Sequence, residues 1–136
     1  MRTVIIDTDI AIDYLRGIEY AKAFIDPLLD ADNAFLSVLS VYELAAGMRK
    51  EERAKTEDFM NACSIEPVNP DIAVKGGDLY RHYREKGITL APIDCLIAAT
   101  ALIGGHKIAT RNTGHYPEKG LLVHLGKISP FTPGPP

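Results

Sequence analysis

The chain has 136 residues, 46% of them hydrophobic and 24% charged, which suits one ordinary folded domain with a core of its own. A formal net charge of −3 excludes a protein that coats nucleic acid by neutralising phosphates, though not an enzyme that touches a short stretch of RNA. No apolar stretch approaches the ~20 residues that span a membrane, and the N-terminal apolar run is too short for a signal peptide. The two cysteines, Cys63 and Cys95, lack metal-ligand spacing and read as reduced thiols of a cytoplasmic protein.

In chain order, Thr3 to Ile6 reads as a fully buried strand. Asp9 to Leu15 reads as a short helix stopped by Gly17, and a second helix runs from Glu19 to about Ala31 with a kink or break at Pro27. Ala34 to Val38 is a second buried strand. Ser40 then opens a helix that ends near Gly47, and a polar helix follows from Glu51 to Ala62. Ser64 to Val68 offers a short third strand. Asp71 to Glu85 is an amphipathic helix, with Ile72, Leu79, Tyr80 and Tyr83 at helical spacing. Gly76 and Gly77 lie inside it, and close packing against a neighbour explains why they are there. Pro92 to Ile103 is apolar nearly all round, a helix buried on every side and ended by Gly104-Gly105. Lys107 to Thr110 and Leu121 to Leu125 read as further strands. Short buried strands alternating with helices predict an α/β sandwich around a mostly parallel sheet, with ligands at the carboxyl ends of its strands. A single domain over 1–128 is followed by a proline-rich tail over 129–136.

Three acids stand out on this layout. Asp7 closes the apolar run Val4-Ile5-Ile6, at a strand's carboxyl end, and two readings stand for it: a cleft carboxylate, or a turn or cap residue. Asp9 reads as the actual N-cap, with a supplementary ligand role also open to it, and Asp13 reads as solvated. Glu43 completes a capping box with Ser40, a role compatible with facing the cleft. Asp94 occupies the first turn of an otherwise apolar helix, where the dipole favours an anion but a buried carboxylate needs a partner. Grouped carboxylates suit Mg²⁺ or Mn²⁺, which prefer oxygen ligands and keep waters. No Walker loop, GxGxxG run, nucleophile elbow or zinc pattern is present. His82 reads as exposed, His106 as a turn residue and His124 as structural. The segment Thr110-Arg111-Asn112-Thr113-Gly114-His115-Tyr116 leaves a strand with hydroxyl, cation and amide groups that can hold phosphate oxygens, or that simply make a polar turn.

Together IIDTDIAIDYLRG, LSVLSVYELAAG and PIDCLIAATALIGGHKIATRNTGHY, in this order and spacing, resemble the PIN-domain ribonucleases, and more narrowly the VapC-type toxins of toxin–antitoxin pairs. The resemblance covers Thr3 to about Leu125. It implies a three-layer α/β/α sandwich around a mostly parallel central sheet and Mg²⁺- or Mn²⁺-dependent endonuclease action on RNA by metal-activated water. It assigns the metal to Asp7, Glu43 and Asp94, with Asp9, Thr8, Thr110 and Asn112 in support and Arg111 on phosphate. A fourth acid of the family pattern is replaced, the two candidate places holding Asn112 and His115. The resemblance also implies a homodimer held inactive by a cognate antitoxin, with a groove for it on the helices from Asp9 to Ala31 and from Ser40. Two alternatives accompany this reading. One is a catalytically weakened PIN-fold interaction module, suggested by the missing acid. The other is a haloacid-dehalogenase-type phosphatase, suggested by Asp7-Thr8-Asp9 after a first strand.

Overall fold

A computed structural model describes residues 2–126; the proline-rich tail at 129–136 and the domain limit at 128 lie outside the described residues. Four strands form one parallel sheet: β1 (Val4–Ile6), β2 (Ala34–Ser37), β3 (Ser64–Glu66) and β4 (Lys107–Ala109), in the spatial order β3-β2-β1-β4. The helices are α1 (Thr8–Leu15), α2 (Glu19–Asp30), α3 (Val38–Gly47), α4 (Arg53–Ala62), α5 (Pro70–Glu85) and α6 (Pro92–Gly104).

Strand periodicity divides the core in two. Val4 and Ile6 face one side of the sheet, where Ile10, Ile25, Leu44 and Phe59 from α1 to α4 pack on them. Ile5 and Ile108 face the other side, against Ile72, Leu79 and Ile97 from α5 and α6. The result is the expected three-layer sandwich. The chain leaves β1 towards β2 on one side and later returns to β4 on the other, so the sheet's switch point lies between β1 and β4. In open parallel sheets ligands gather at such a point, outside the strands' carboxyl ends.

Several boundaries differ from the sequence reading, each for a physical reason. Asp7, not Asp9, is the N-cap of α1: its backbone is extended and its carboxylate accepts the Thr8 N–H at 2.9 Å. Ser37, not Ser40, caps α3, with its hydroxyl accepting the Leu39 N–H, so Ser40 and Glu43 both fall inside the helix. Helix α2 runs through Pro27 without a break. Pro27 and Ala23 are exposed, so the carbonyl that loses its partner faces water. The polar helix begins as a 3-10 turn at Lys50–Glu52 before α4. Leu121 to Leu125 contributes a single parallel bridge, Ile108 to Leu122, rather than a strand. Helix α6 is not buried on every side: Leu102 and Ile103 in its last turn are exposed, and Gly105 ends it in the left-handed region at φ 72°.

Gly76 confirms the close-packing expectation, because an added Cβ would lie 3.0 Å from Leu96 Cδ2 of α6. Gly77 does not, since it has open space around it. His82 is exposed as expected. His106 is buried, stacked on Phe35 and bonded through Nδ1 to the Thr3 hydroxyl at 2.6 Å.

Candidate active site

Asp7 lies at the sheet's carboxyl edge because β1 ends at Ile6 and the cap geometry turns the chain into α1. Its backbone N–H is held by the Ala109 carbonyl of β4 at 2.9 Å. Its carboxylate is heavily engaged: Oδ1 takes the Thr8 N–H, while Oδ2 takes the Thr110 hydroxyl at 2.8 Å and the Tyr116 hydroxyl at 3.1 Å. The same Tyr116 oxygen lies 3.4 Å from Asp94 Oδ1. Asp7 and Asp94, one after a strand and one in the first turn of α6, are therefore one phenolic hydroxyl apart. The other Asp94 oxygen faces His115 Nδ1 at 3.3 Å.

Glu43 comes from the middle of α3. Its Oε1 accepts the Thr8 hydroxyl at 2.7 Å, and Ser40 Oγ lies 3.1 Å from that hydroxyl oxygen. It makes no return to a cap N–H, as the capping-box reading required. Asp9 is turned inward: Oδ1 accepts the Ile10 N–H, and Oδ2 accepts the Arg111 N–H at 2.8 Å and the Asn112 side-chain amide at 3.2 Å. Asp9 thus ties the strand-exit segment after β4 to α1. Asn112 turns its amide nitrogen, a donor, towards that carboxylate.

Arg111, expected at a phosphate, has a mostly covered guanidinium that bonds Asp13 Oδ2 at 2.9 Å, with the Tyr20 ring 5.5 Å away. Asp13, expected to be solvated, is 2% exposed and also accepts the Tyr20 hydroxyl. Two residues that this site uses were missed in the sequence. Asp13 reads as one more acid on a short helix, and its cation lies 98 residues away. Tyr116 closes the 110–116 segment, and the sequence reading gives it no role of its own. Only the apolar run before Asp13 and the aromatic after Gly114-His115 hinted at either.

The electrostatics follow from this crowding. Burial, then the charge of Asp7, pushes the Asp9 carboxyl up to about 6, against the two N–H bonds that favour its ionised form. Burial also raises Asp94, with Asp7 and Glu43 adding repulsion and His115 opposing them. The Tyr116 phenol is raised far above its ordinary value by burial and by the two carboxylates, so it stays a neutral donor.

Among the described residues, no three carboxylate, histidine or cysteine side chains converge closely enough to enclose a metal ion by themselves. The expected cage of Asp7, Glu43 and Asp94 is therefore not closed. The donor set is nonetheless all oxygen and rich in negative charge. It fits a hard divalent cation that keeps several waters and takes one or two carboxylates. Asp7 and Asp94 are the pair positioned for that, with Glu43 near enough for its charge to act on Asp94.

The PIN domain family matches residues 4–117 of the chain. Ribonuclease VapC19 of Mycobacterium tuberculosis is 39% identical over 114 residues, covering 83% of this chain and 91% of that protein. Ribonuclease VapC10 of the same organism is 32% identical over 114 residues, covering 84% and 86%. Among solved structures, DNA-bound VapBC from Salmonella typhimurium superposes with a TM-score of 0.78 at 20% identity, covering 90% of this chain and 96% of that one.

Proposed function

The chain belongs to the PIN-domain family, and on that premise we propose that it is a metal-dependent RNA endonuclease acting as the toxin of a VapBC-type toxin–antitoxin pair. Family membership removes the phosphatase reading of Asp7-Thr8-Asp9. The printed names of the relatives, ribonucleases VapC19 and VapC10, support the activity. The observation that carries the reading is the Asp7–Asp94 pair, joined through one hydroxyl at the carboxyl edge of a parallel sheet.

In this reading Asp7 and Asp94 hold Mg²⁺ or Mn²⁺, and Glu43 is the third acid. A divalent cation bound there supplies Lewis acidity towards a phosphate oxygen and an activated water. The protein's part is positional. Thr110 and the Thr8 N–H fix the Asp7 carboxylate, and the Thr8 hydroxyl fixes Glu43. Asp9 holds the 110–112 segment in place. Left uncompensated, the acids repel an RNA backbone, so substrate approach depends on their neutralisation.

The antitoxin's seat in this reading is a groove between α1, α3 and α4, lined by apolar Ile12, Leu15, Leu44 and Met48 and by charges of both signs, Arg16 and Lys55 against Glu51 and Glu52. Glu43 lies in the same groove, so a bound segment there also reaches the acids. A second copy of the chain would cover apolar surface such as Val74, Leu102 and Ile103, which α5 and α6 leave exposed. No described helix is long and apolar enough to cross a membrane. The reading is tested by expression in bacteria. The parent arrests growth, and Asp7→Ala relieves the arrest at equal protein level; arrest undiminished by Asp7→Ala would overturn it.

One observation favours the weakened-module alternative: Asn112 and His115 bring donors, not acids, to Asp9 and Asp94. Under that alternative the folded chain dimerises but binds no Mn²⁺.

A further inference from the structure

Tyr116 is the one aromatic hydroxyl aimed between two acids of the site among the described residues. The side chain is 3% exposed, its ring packs with the α5–α6 side of the core, and its oxygen sits 3.1 Å from Asp7 and 3.4 Å from Asp94. A phenol has a single proton, so at any moment it donates to one of the two carboxylates. Asp7 is the nearer acceptor. With Thr110 and Tyr116 on Oδ2 and the Thr8 N–H on Oδ1, about three of roughly four acceptor positions on this carboxylate are filled. The hydroxyl therefore stands where a cation shared by Asp7 and Asp94 must come, and it performs part of the same task. It places a positive hydrogen between a buried carboxylate, Asp7, and a half-buried one, Asp94, whose mutual repulsion the protein must otherwise bear.

We propose that Tyr116 is a positioning residue that substitutes for the cation: its buried hydroxyl bridges Asp7 and Asp94 in the metal-free protein and must leave that bridge when a divalent cation binds the pair. The inference rests on the metal-site reading given above and goes beyond it, because it makes cation entry a displacement rather than an addition. It also gives the metal-free protein a way to keep the two carboxylates in place. The cost of releasing a hydrogen bond to a charged acceptor is then subtracted from cation affinity.

Tyr116→Phe keeps the packed ring and removes the hydroxyl alone. Mn²⁺ is titrated into parent and variant by calorimetry, and thermal unfolding of both is followed with and without Mn²⁺. The expected result is Mn²⁺ binding on the order of tenfold tighter in the variant. The metal-free variant should also melt lower, with saturating Mn²⁺ closing most of the gap. A purely structural role would lower both melting temperatures equally and leave Mn²⁺ affinity unchanged, and that result overturns the proposal. Weaker Mn²⁺ binding in the variant overturns it as well, since the hydroxyl would then assist the cation. A parent that binds no Mn²⁺ at all sinks the metal-site reading and this inference with it. Unchanged affinity in a variant of a binding parent sinks this inference alone. Should Tyr116→Phe fail to fold, the near-ultraviolet circular dichroism of the parent, which has tyrosines and no tryptophan, is followed during the Mn²⁺ titration: a change that saturates with the binding isotherm is expected, and a spectrum unchanged by bound Mn²⁺ overturns displacement.

Discussion

Asp13→Asn is the substitution whose effect follows most directly from the packing. The change is nearly isosteric, so it leaves no cavity and removes one charge. Asp13 is almost wholly buried, and its Oδ2 accepts from both the Arg111 guanidinium and the Tyr20 hydroxyl. Removing one partner of a buried pair costs about 3–5 kcal/mol, because the other charge is left uncompensated. The Arg111 side chain keeps 14% exposure and stays near the Tyr20 ring, so water and the ring recover part of this. A loss of about 2–4 kcal/mol is expected, or a melting temperature lower by roughly 10 °C in a domain of this size. Urea unfolding monitored by circular dichroism measures it, with the midpoint shifting and the slope unchanged. In a double-mutant cycle, Asp13→Asn combined with Arg111→Gln should cost less than the sum of the two single changes. A loss below about 0.5 kcal/mol would mean that Asp13 behaves as a surface carboxylate, and the account of Arg111 as a structural cation would fail.

Three further outcomes follow from other parts of the molecule. Gly77→Ala, with open space around it, should stabilise by about 0.5–1 kcal/mol through helix propensity. Gly76→Ala should instead destabilise by about 1 kcal/mol, because its new Cβ meets Leu96 at 3.0 Å; equal effects in urea titrations would contradict the close α5–α6 packing. The Asp9 carboxyl has a folded pKa of about 6, above its ordinary 3.8, so between these values the folded state binds more protons than the unfolded chain. Its contribution is thus fully present below pH 3.8 and is lost as pH rises through 6. Allowing for the part of the carboxylate that water reaches, metal-free protein should lose about 1–2 kcal/mol from this group over that interval. Asp9→Asn should flatten this part of the stability profile, and identical profiles would show that Asp9 titrates normally.

Much of the architecture was legible in the residues. Each buried strand shows as a short apolar run, and Asp7 directly after the first of them marked the sheet's carboxyl edge. The helix starts were less legible because the sequence offers two plausible caps at each place. Asp7 and Asp9 both suit α1. Ser37 and Ser40 both suit α3, and the capping-box pattern favoured the wrong serine. Pairing of Ser37 with Glu66 carries β2 up to that residue, and the helix starts directly afterwards. That earlier start frees Glu43 from the cap and lets it meet Thr8. What remained hidden depends on distant partners. Tyr116 lies 109 residues from Asp7, and Arg111 lies 98 from Asp13. No local pattern reports a hydrogen bond or ion pair across such separations, whereas strand and helix periodicity are local by nature. The last expected strand failed for a related reason: Leu121 to Leu125 is apolar enough, but only Leu122 finds a bridge partner in β4.

The central claim is that Asp7 and Asp94 form one cation-dependent site for cutting RNA. Its most direct test is the rate of RNA cleavage by purified Asp94→Asn beside the parent, both at saturating Mg²⁺, with circular dichroism confirming that the variant is folded. Loss of a preorganised charge at such a site predicts a fall in kcat/KM of about a hundredfold or more. A folded Asp94→Asn protein that cuts RNA as fast as the parent would contradict the assignment.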